Sequence, residues 1–284
     1  MKRLFTVRDL LLPQAAPARD RPTVLSALHH APDRTISYGP HPLQQADVFA
    51  ACAATAGPRP LVVFIHGGAW RFGDKARRLR DCKAAFCREE GWHFASVNFR
   101  MVPEVGVAEM AADIAAALRQ LASEPGVDPG RIVAMGHSSG AHLAALVATD
   151  PALGCPPLAG VIANDGAAFD ASQPSVGSAW LARSLIDPAF PPPDALALAA
   201  LSPAVHASRA PAPPFLILHA ARGAAQRQAE LLQQALHRGG TSVERHDCGG
   251  RGLRGDVMLS RKFGLPGFPA TEIARSWLRR QFQD

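Results

Sequence analysis

Short, continuous apolar runs alternate along the chain with longer stretches in which apolar residues recur every three or four positions. The runs are typical of strands buried on both faces of a parallel sheet, and the stretches are typical of amphipathic helices. The clearest helix is predicted over residues 107–122. Core strands are predicted at 61–65, 94–97, 132–135, 160–163, 215–218 and 241–246, and further helices at 76–90, 139–149, 225–238 and 269–282. The alternation predicts an α/β fold with a mostly parallel central sheet flanked by helices.

The first 57 residues are rich in proline and alanine and show little periodicity. They are interpreted as an N-terminal arm (residues 1–57) that carries short antiparallel strands near 36–39 and 47–49. Residues 58–284 then form the α/β core. A chain of 284 residues is long enough to bury one continuous core of this kind.

A stretch rich in proline, alanine and serine separates two core strands at about residues 170–214. Helical pieces are expected within it near 179–186 and 194–200. An excursion of this length between core strands is usually functional. We therefore expect a small cap insertion over the carboxyl ends of the strands, where open α/β sheets place their sites.

Composition narrows the range of partners. The net charge is +6, but the basic residues are scattered and form no like-charged run, so no nucleic-acid partner is expected. No apolar segment is long enough to span a membrane, so no membrane partner is expected. The five cysteines include no CxxC pair, which favours reduced thiols, no metal site and a cytoplasmic location. No glycine motif for a cofactor is present, and the oligomeric state stays open.

A candidate nucleophile lies directly after the third core strand. Residues 136–140 read Gly-His-Ser-Ser-Gly, which fits the G-x-S-x-G pattern between a strand and a helix. In this motif the serine occupies a sharp, strained turn, and the flanking glycines avoid a clash with it. Ser138 is therefore predicted to be a catalytic nucleophile at the N-terminus of a helix, where free N–H groups favour negative charge.

A second glycine motif follows the first core strand, where residues 66–70 read His-Gly-Gly-Ala-Trp. Acyl transfer develops negative charge on a carbonyl oxygen, which preorganised N–H donors must stabilise. Gly67 and Gly68 let the backbone approach a substrate closely. We expect an oxyanion hole formed by this loop, including Gly67, Gly68 and Ala69, together with the N–H group of Ser139. Trp70 and Phe72 either line a substrate pocket or pack the loop against the cap.

These motifs carry a family resemblance. Residues 66–71, followed by Gly-Asp-Lys at 73–75, look like the oxyanion loop of the esterase/lipase branch of the α/β-hydrolases. Residues 136–143 resemble the nucleophile elbow of the same branch. The kynurenine formamidase (arylformamidase)-like group is the most similar, and the weaker stretches at 37–39 and 202–203 also fit it.

The similarity extends over about residues 35–280. It implies an α/β-hydrolase fold and a serine hydrolase that acts on small carboxylic esters or aryl formamides, with no cofactor. The small-molecule ester or amide would be its only expected partner.

The C-terminal part departs from that pattern. In this fold the acid and the histidine of the triad follow the serine in chain order. Gly223 stands where the family resemblance predicts the acid, and Leu253 stands where it predicts the histidine, in a glycine-rich turn at 249–255. Without a base and its orienting acid, a serine hydroxyl is a weak nucleophile. The resemblance therefore predicts an impaired triad.

Other residues could replace the missing pair. His246, with Asp247 beside it, lies near the end of the last strand and is the reserve base, and Asp256 lies just beyond the turn. Asp165 follows the fourth core strand and is the reserve acid. Further histidines beside the motifs could act as the base or simply pack in the core: His66, His137, His142 and His219.

Two functions remain open at this point. The leading hypothesis is an esterase- or amidase-type serine hydrolase. The alternative is a catalytically degenerate protein of the same fold that binds a ligand or partner without turning it over. The motif pair favours the first hypothesis, and the empty triad positions favour the second.

Overall fold

A computed structural model describes residues 31–52, 57–76, 81–173, 187–190, 194–221 and 223–283. Within these residues, eight strands form one sheet in the order β1-β2-β4-β3-β5-β6-β7-β8. The strands are β1 (Arg34–Ser37), β2 (Gln45–Phe49), β3 (Arg59–Ile65), β4 (His93–Val97), β5 (Val127–His137), β6 (Gly160–Asn164), β7 (Phe215–Ala221) and β8 (Val243–Arg251). The pairs β1–β2 and β2–β4 are antiparallel, and all other pairs are parallel. The predicted α/β fold with a mostly parallel sheet is confirmed.

Helices connect most of the parallel strands. They are α1 (Asp81–Glu89), α2 (Val107–Ala122), α3 (Ser139–Thr149), α4 (Ala195–Ala200), α5 (Pro203–Ala207), α6 (Gly223–Arg238), α7 (Gly252–Lys262) and α8 (Pro269–Gln281). The predicted bounds of α2 and α3 agree with the structure. Helix α2 has clear apolar periodicity, whereas α3 is buried on almost every side. The helix predicted over 76–90 has its described part at Asp81–Glu89.

One prediction of local structure was wrong. The glycine-rich stretch 249–255 was expected to be a turn, but β8 continues to Arg251 and α7 begins at Gly252. Glycine has a low intrinsic helix propensity, which tertiary packing overrides here. Gly255 explains part of this packing, because a Cβ atom added to it would lie 2.9 Å from the Cβ of Ala220 in β7. Helix α7 therefore lies directly against the carboxyl ends of the last strands.

The core has a layer on each face of the sheet. Along β3, Leu61, Val63 and Ile65 contribute to one layer, whereas Val62 and Phe64 contribute to the other. The first layer also contains the buried faces of α2, α3 and α6, and the second contains those of α1 and α8. Because β3 is buried on both faces, its sequence is a continuous apolar run and does not alternate with polar residues.

The predicted arm and cap are described only in part. Residues 1–30 and the helical piece expected near 179–186 lie outside the described residues. Helix α4 corresponds to the piece expected near 194–200. Phe190, in the cap stretch, packs edge-on against Trp70 with ring centroids 5.2 Å apart. The described part of this stretch therefore contacts the loop that follows β3.

Candidate active site

Ser138 occupies the turn between β5 and α3. Its backbone has φ 53° and ψ −120°, which is a strained conformation for a residue with a side chain. A Cβ atom added to Gly136 would lie 2.1 Å from the carbonyl oxygen of Gly140, and one added to Gly140 would lie 2.2 Å from that of Ile65. Only glycine therefore fits at both positions. The turn presents Ser138, which is partly exposed, at the carboxyl end of the central strand.

The loop after β3 lies against this turn. A Cβ atom added to Gly67 would lie 2.6 Å from the carbonyl oxygen of His137 and 3.0 Å from the Cβ of Ser138. Gly68 has φ 142°, and a Cβ atom there would lie 1.8 Å from the carbonyl oxygen of Phe72. Ala69 and Trp70 follow in the left-handed region. This sharp path brings the loop backbone close to the serine.

Backbone donors are available at this point. Within the described residues, the N–H groups of Gly67, Gly68, Ala69 and Ser139 donate no hydrogen bond to a protein acceptor. Ser139 begins α3, so its N–H group also belongs to the positive end of a helix dipole. Such a cluster of donors can stabilise an oxyanion that forms on a substrate bound at Ser138.

Trp70 anchors the loop from behind. Its side chain is 1% exposed, and its ring lies edge-on to His142 at a centroid distance of 5.5 Å. Trp70 therefore packs the loop against α3 and the cap stretch, which was the second of the two roles considered for it. Burial lowers the pKa of His142 to about 4, although a hydrogen bond from Nε2 to the carbonyl oxygen of Leu201 opposes the shift.

Polar contacts hold the far end of the loop. The Asn98 amide donates from Nδ2 to Oδ2 of Asp74 at 2.9 Å, and Lys75 Nζ lies 2.6 Å from Oδ1 of Asp47. Burial raises the pKa of Asp74, but the hydrogen bonds from Asn98 and the Ala76 N–H group and the charges of His66 and Lys75 outweigh it, so the net shift is downward. The Gly-Asp-Lys part of the motif therefore ties the loop to the sheet.

The positions expected for the triad partners lie at the start of two helices. Gly223 is the first residue of α6 and is exposed, and no atom lies within 4 Å of a Cβ atom added there. Leu253 is in the first turn of α7. Within the described residues, no imidazole forms a hydrogen bond with the Ser138 hydroxyl.

The reserve base and acid contact other residues of the sheet. His246 is on β8, the edge strand, and its Nε2 is 3.7 Å from Oε2 of Glu244. Asp165 follows β6 and is fully buried, with φ 48°. Its Oδ1 accepts a hydrogen bond of 3.0 Å from the Ala220 N–H group in β7. Each of these residues therefore contacts a residue of β7 or β8.

Two of the other histidines contact neighbouring side chains in the interior of the protein. His66 stacks on Phe99 at a centroid distance of 4.6 Å. His219 Nε2 accepts a hydrogen bond of 2.9 Å from Arg245 Nη1. Each ring is buried and held by a neighbour from the sheet or from an adjacent loop.

The structure also joins two residues that sequence reasoning did not pair. His137 Nε2 lies 2.7 Å from Oδ1 of Asp256, which is on α7. His137 directly precedes the serine in the chain. No sequence spacing signals the contact, because 119 positions separate the partners. The only indication in the sequence was that an acid, Asp256, follows the last predicted strand.

A mostly parallel sheet with a serine on a strand–turn–helix elbow after β5 defines the α/β-hydrolase fold, and this chain has that fold. Residues 47–153, which contain both the oxyanion loop and the elbow, match the family model BD-FAE, an α/β-hydrolase esterase family. No helix in the described part of the chain is long and apolar enough to cross a membrane.

Curated relatives match over half of the chain or less. A probable isoprenylcysteine alpha-carbonyl methylesterase of Arabidopsis thaliana is 34% identical over 115 residues, which are 39% of this chain and 24% of that protein. Esterase LipC of Mycobacterium tuberculosis is 31% identical over 152 residues, which are 50% of this chain and 37% of that protein. The chain thus spans well under half the length of these relatives.

Solved structures resemble almost the whole chain. Esterase B of Lactobacillus rhamnosis has a TM-score of 0.71 at 19% identity, covering 91% of this chain and 88% of that one. Esterase 2 of Thermogutta terrifontis, phosphonylated by sarin, has a TM-score of 0.70 at 23% identity, covering 87% of this chain and 94% of that one. At this identity the likeness shows the fold.

Proposed function

We propose that this protein is a serine hydrolase of the esterase type that acts on small carboxylic esters. The observation that carries the proposal is the placement of Ser138, on a strained elbow, beside four backbone N–H groups that have no protein acceptor within the described residues. Strained backbone at a reactive side chain and unused donors beside it are features that an acyl-transfer site needs. The match of residues 47–153 to the BD-FAE model and the esterase names of the curated relatives support the same class.

The reaction follows from this geometry. The Ser138 hydroxyl attacks the ester carbonyl carbon, and the carbonyl oxygen becomes an oxyanion that the N–H groups of Gly68, Ala69 and Ser139 stabilise. The tetrahedral intermediate then expels the alcohol and leaves an acyl group on Ser138. Water attacks this acyl-enzyme, releases the acid and regenerates the serine.

Two classes of substrate, carboxylic esters and aryl formamides, differ in their acyl and leaving groups. Resemblance of the two motifs to the kynurenine formamidase-like group adds aryl formamides to the candidate substrates. The relatives reported above are named as esterases, which makes an ester the first substrate to test. An aryl formamide tested beside an ester of the same aryl group would separate the two classes.

We further propose that the triad is impaired at its usual positions. Gly223 and Leu253 can neither accept a proton nor orient an imidazole, and both lie at the start of helices that follow the last two strands. An enzyme with such gaps is expected to be slow, since the oxyanion hole and substrate binding alone supply only part of the rate enhancement.

A degenerate protein that binds a ligand or partner without turnover is the second candidate. The absence, within the described residues, of a hydrogen bond between an imidazole and the Ser138 hydroxyl favours it. Hydrogen bonds in unliganded active sites are often long, so this geometry weighs against catalysis without excluding it.

A direct assay decides between these candidates. We expect purified protein to hydrolyse p-nitrophenyl acetate and to gain one covalent adduct with a fluorophosphonate probe, as measured by intact-protein mass spectrometry. Ser138→Ala should abolish both signals, whereas Ser123→Ala, at the exposed end of α2, should leave both unchanged. A wild-type protein that shows neither signal would exclude the hydrolase and support the binding protein.

A further inference from the structure

We infer that His137 and Asp256 form the acid–base pair of this site, with His137 as the general base for Ser138 and Asp256 as the residue that positions it. The inference rests on the proposed hydrolase function and names the residues that activate its nucleophile. It places the base in the residue that directly precedes the serine, and the acid on the helix that follows the last strand.

The contact between the two side chains is short and shielded from solvent. Nε2 of His137 lies 2.7 Å from Oδ1 of Asp256, and the two side chains are 11% and 12% exposed. A carboxylate at this distance accepts the proton on Nε2, so the ring adopts the tautomer that leaves Nδ1 as an acceptor. A histidine held in this way is ready to receive a proton at its second nitrogen.

The second nitrogen faces the elbow. Nδ1 of His137 lies 2.9 Å from the position of a Cβ atom added to Gly67, and the Cβ of Ser138 lies 3.0 Å from the same point. Within the described residues, this nitrogen forms no hydrogen bond. Nδ1 and the serine side chain therefore border the same small space beside the oxyanion loop, within reach of each other directly or through one water molecule.

Helix α7 brings the acid to this place. A Cβ atom added to Gly250 would lie 2.8 Å from the Cα of Gly255, and one added to Gly255 would lie 2.9 Å from the Cβ of Ala220. These contacts leave no room for larger side chains, so α7 packs tightly on the ends of β7 and β8. Asp256, the next residue, then reaches over the ends of the strands to β5.

In each half of the reaction, His137 accepts one proton and then donates it again. As Oγ of Ser138 bonds to the carbonyl carbon, its proton passes to Nδ1 of His137, and Asp256 stabilises the imidazolium. The imidazolium then donates this proton to the alkoxide that leaves. In the second half, the attacking water gives its proton to Nδ1, which returns it to Oγ of Ser138 as the acyl group departs.

Three other described histidines are less suited to this role. The Nε2 atom of His142 donates to the carbonyl oxygen of Leu201, and its ring packs between aromatic side chains. His219 is hydrogen-bonded to Arg245. His246 lies on the edge strand, three strands away from β5. Unlike these three rings, that of His137 combines a carboxylate partner with a position beside Ser138.

The test compares the pH–rate profiles of the wild type and four variants with p-nitrophenyl acetate. We expect His137→Gln and Asp256→Asn each to lower kcat about 10²–10⁴-fold with little change in KM, because proton transfer is lost while binding remains. His137→Gln should also lack the acid limb of the wild-type pH–rate profile. The matched controls, His237→Gln and Asp33→Asn, change exposed residues and should retain the wild-type profile.

Chemical rescue and circular dichroism distinguish the loss of the base from misfolding of a variant. Adding imidazole to His137→Ala should restore part of the rate, and circular dichroism should show that each variant is folded. Wild-type rates and pH profiles in both His137→Gln and Asp256→Asn would overturn the pair while leaving the hydrolase intact. A wild-type protein that neither hydrolyses the ester nor reacts with the fluorophosphonate would overturn the proposed function and the pair together.

Discussion

Individual residues of the candidate site adopt backbone conformations that cost free energy. Ser138, Ala69 and Trp70 all have positive φ angles although each carries a side chain. Non-glycine residues in such conformations cost about 1–3 kcal/mol each and persist where the surrounding structure holds them. Here the elbow and the loop hold each other, since Gly67 packs directly on the backbone of His137. Three of the five described non-glycine residues with positive φ therefore lie in the elbow and in the loop beside it.

Gly68 gives a direct test of the loop. With φ 142° and the Phe72 carbonyl oxygen 1.8 Å from the position of its missing Cβ atom, Gly68→Ala should force the loop to shift. Displacing one oxyanion donor should lower kcat by about 10²–10³-fold on p-nitrophenyl acetate. Gly223→Ala is the matched control, because nothing lies within 4 Å of its added Cβ atom. Equal rates in the two variants would show that the loop does not form the oxyanion hole.

At the level of elements, the position of α7 connects the last strands to the site. The helix directly follows β8, packs on β7 and carries Asp256 toward His137 on β5. Its distance from the sheet is set by Gly250 and Gly255, which are in close contact. A change in the packing of this one helix should therefore affect the pairing of His137 with Asp256 without altering either residue.

Gly255→Ala tests this coupling. The added Cβ atom would lie 2.9 Å from both the Cβ of Ala220 and the carbonyl carbon of Gly250, so α7 must move outward. We expect a lower kcat and a destabilisation of about 1–3 kcal/mol from overpacking, measured by ester hydrolysis and urea unfolding. Val257→Ala, at an exposed position of the same helix, should change neither quantity appreciably. Loss of stability with an unchanged kcat would separate the helix packing from the chemistry.

Across the whole molecule, the buried histidine behind the oxyanion loop should make stability depend on pH. Folding lowers the pKa of His142 from 6.5 to about 4, so the unfolded chain binds more protons between these values. Stability is then fully present above pH 6.5, falls as the pH decreases toward 4, and changes no further from this source below it. The expected loss between pH 7 and pH 5 is about 2 kcal/mol.

Urea unfolding at several pH values measures this effect. His142→Phe should be less stable near pH 7, because it loses the hydrogen bond to Leu201, but its stability should decline less from pH 7 to pH 5. His237→Gln, at an exposed position in the last turn of α6, should follow the wild-type curve. A decline in His142→Phe as steep as that of the wild type would assign the pH dependence to other groups.

The sequence alone predicted the features that depend on local order. The mostly parallel sheet follows from continuous apolar runs, α2 follows from apolar periodicity, and the strand–turn–helix context of Ser138 follows from glycines at two defined positions. These signals are contained in short windows of the chain. Helix α7 escaped prediction because its glycines favour a turn locally, whereas packing against Ala220 and Gly250 favours the helix.

Tertiary structure decided what partners the histidines have. His137 and Asp256 are 119 positions apart, and their contact depends on how α7 docks against the sheet. The spacing of residues in the sequence does not indicate how α7 packs on the sheet. The sequence alone therefore did not pair Asp256, after the last strand, with His137, before the serine. The chain by itself thus determined the fold and the position of Ser138, and only the packing of elements determined which carboxylate contacts the imidazole of His137.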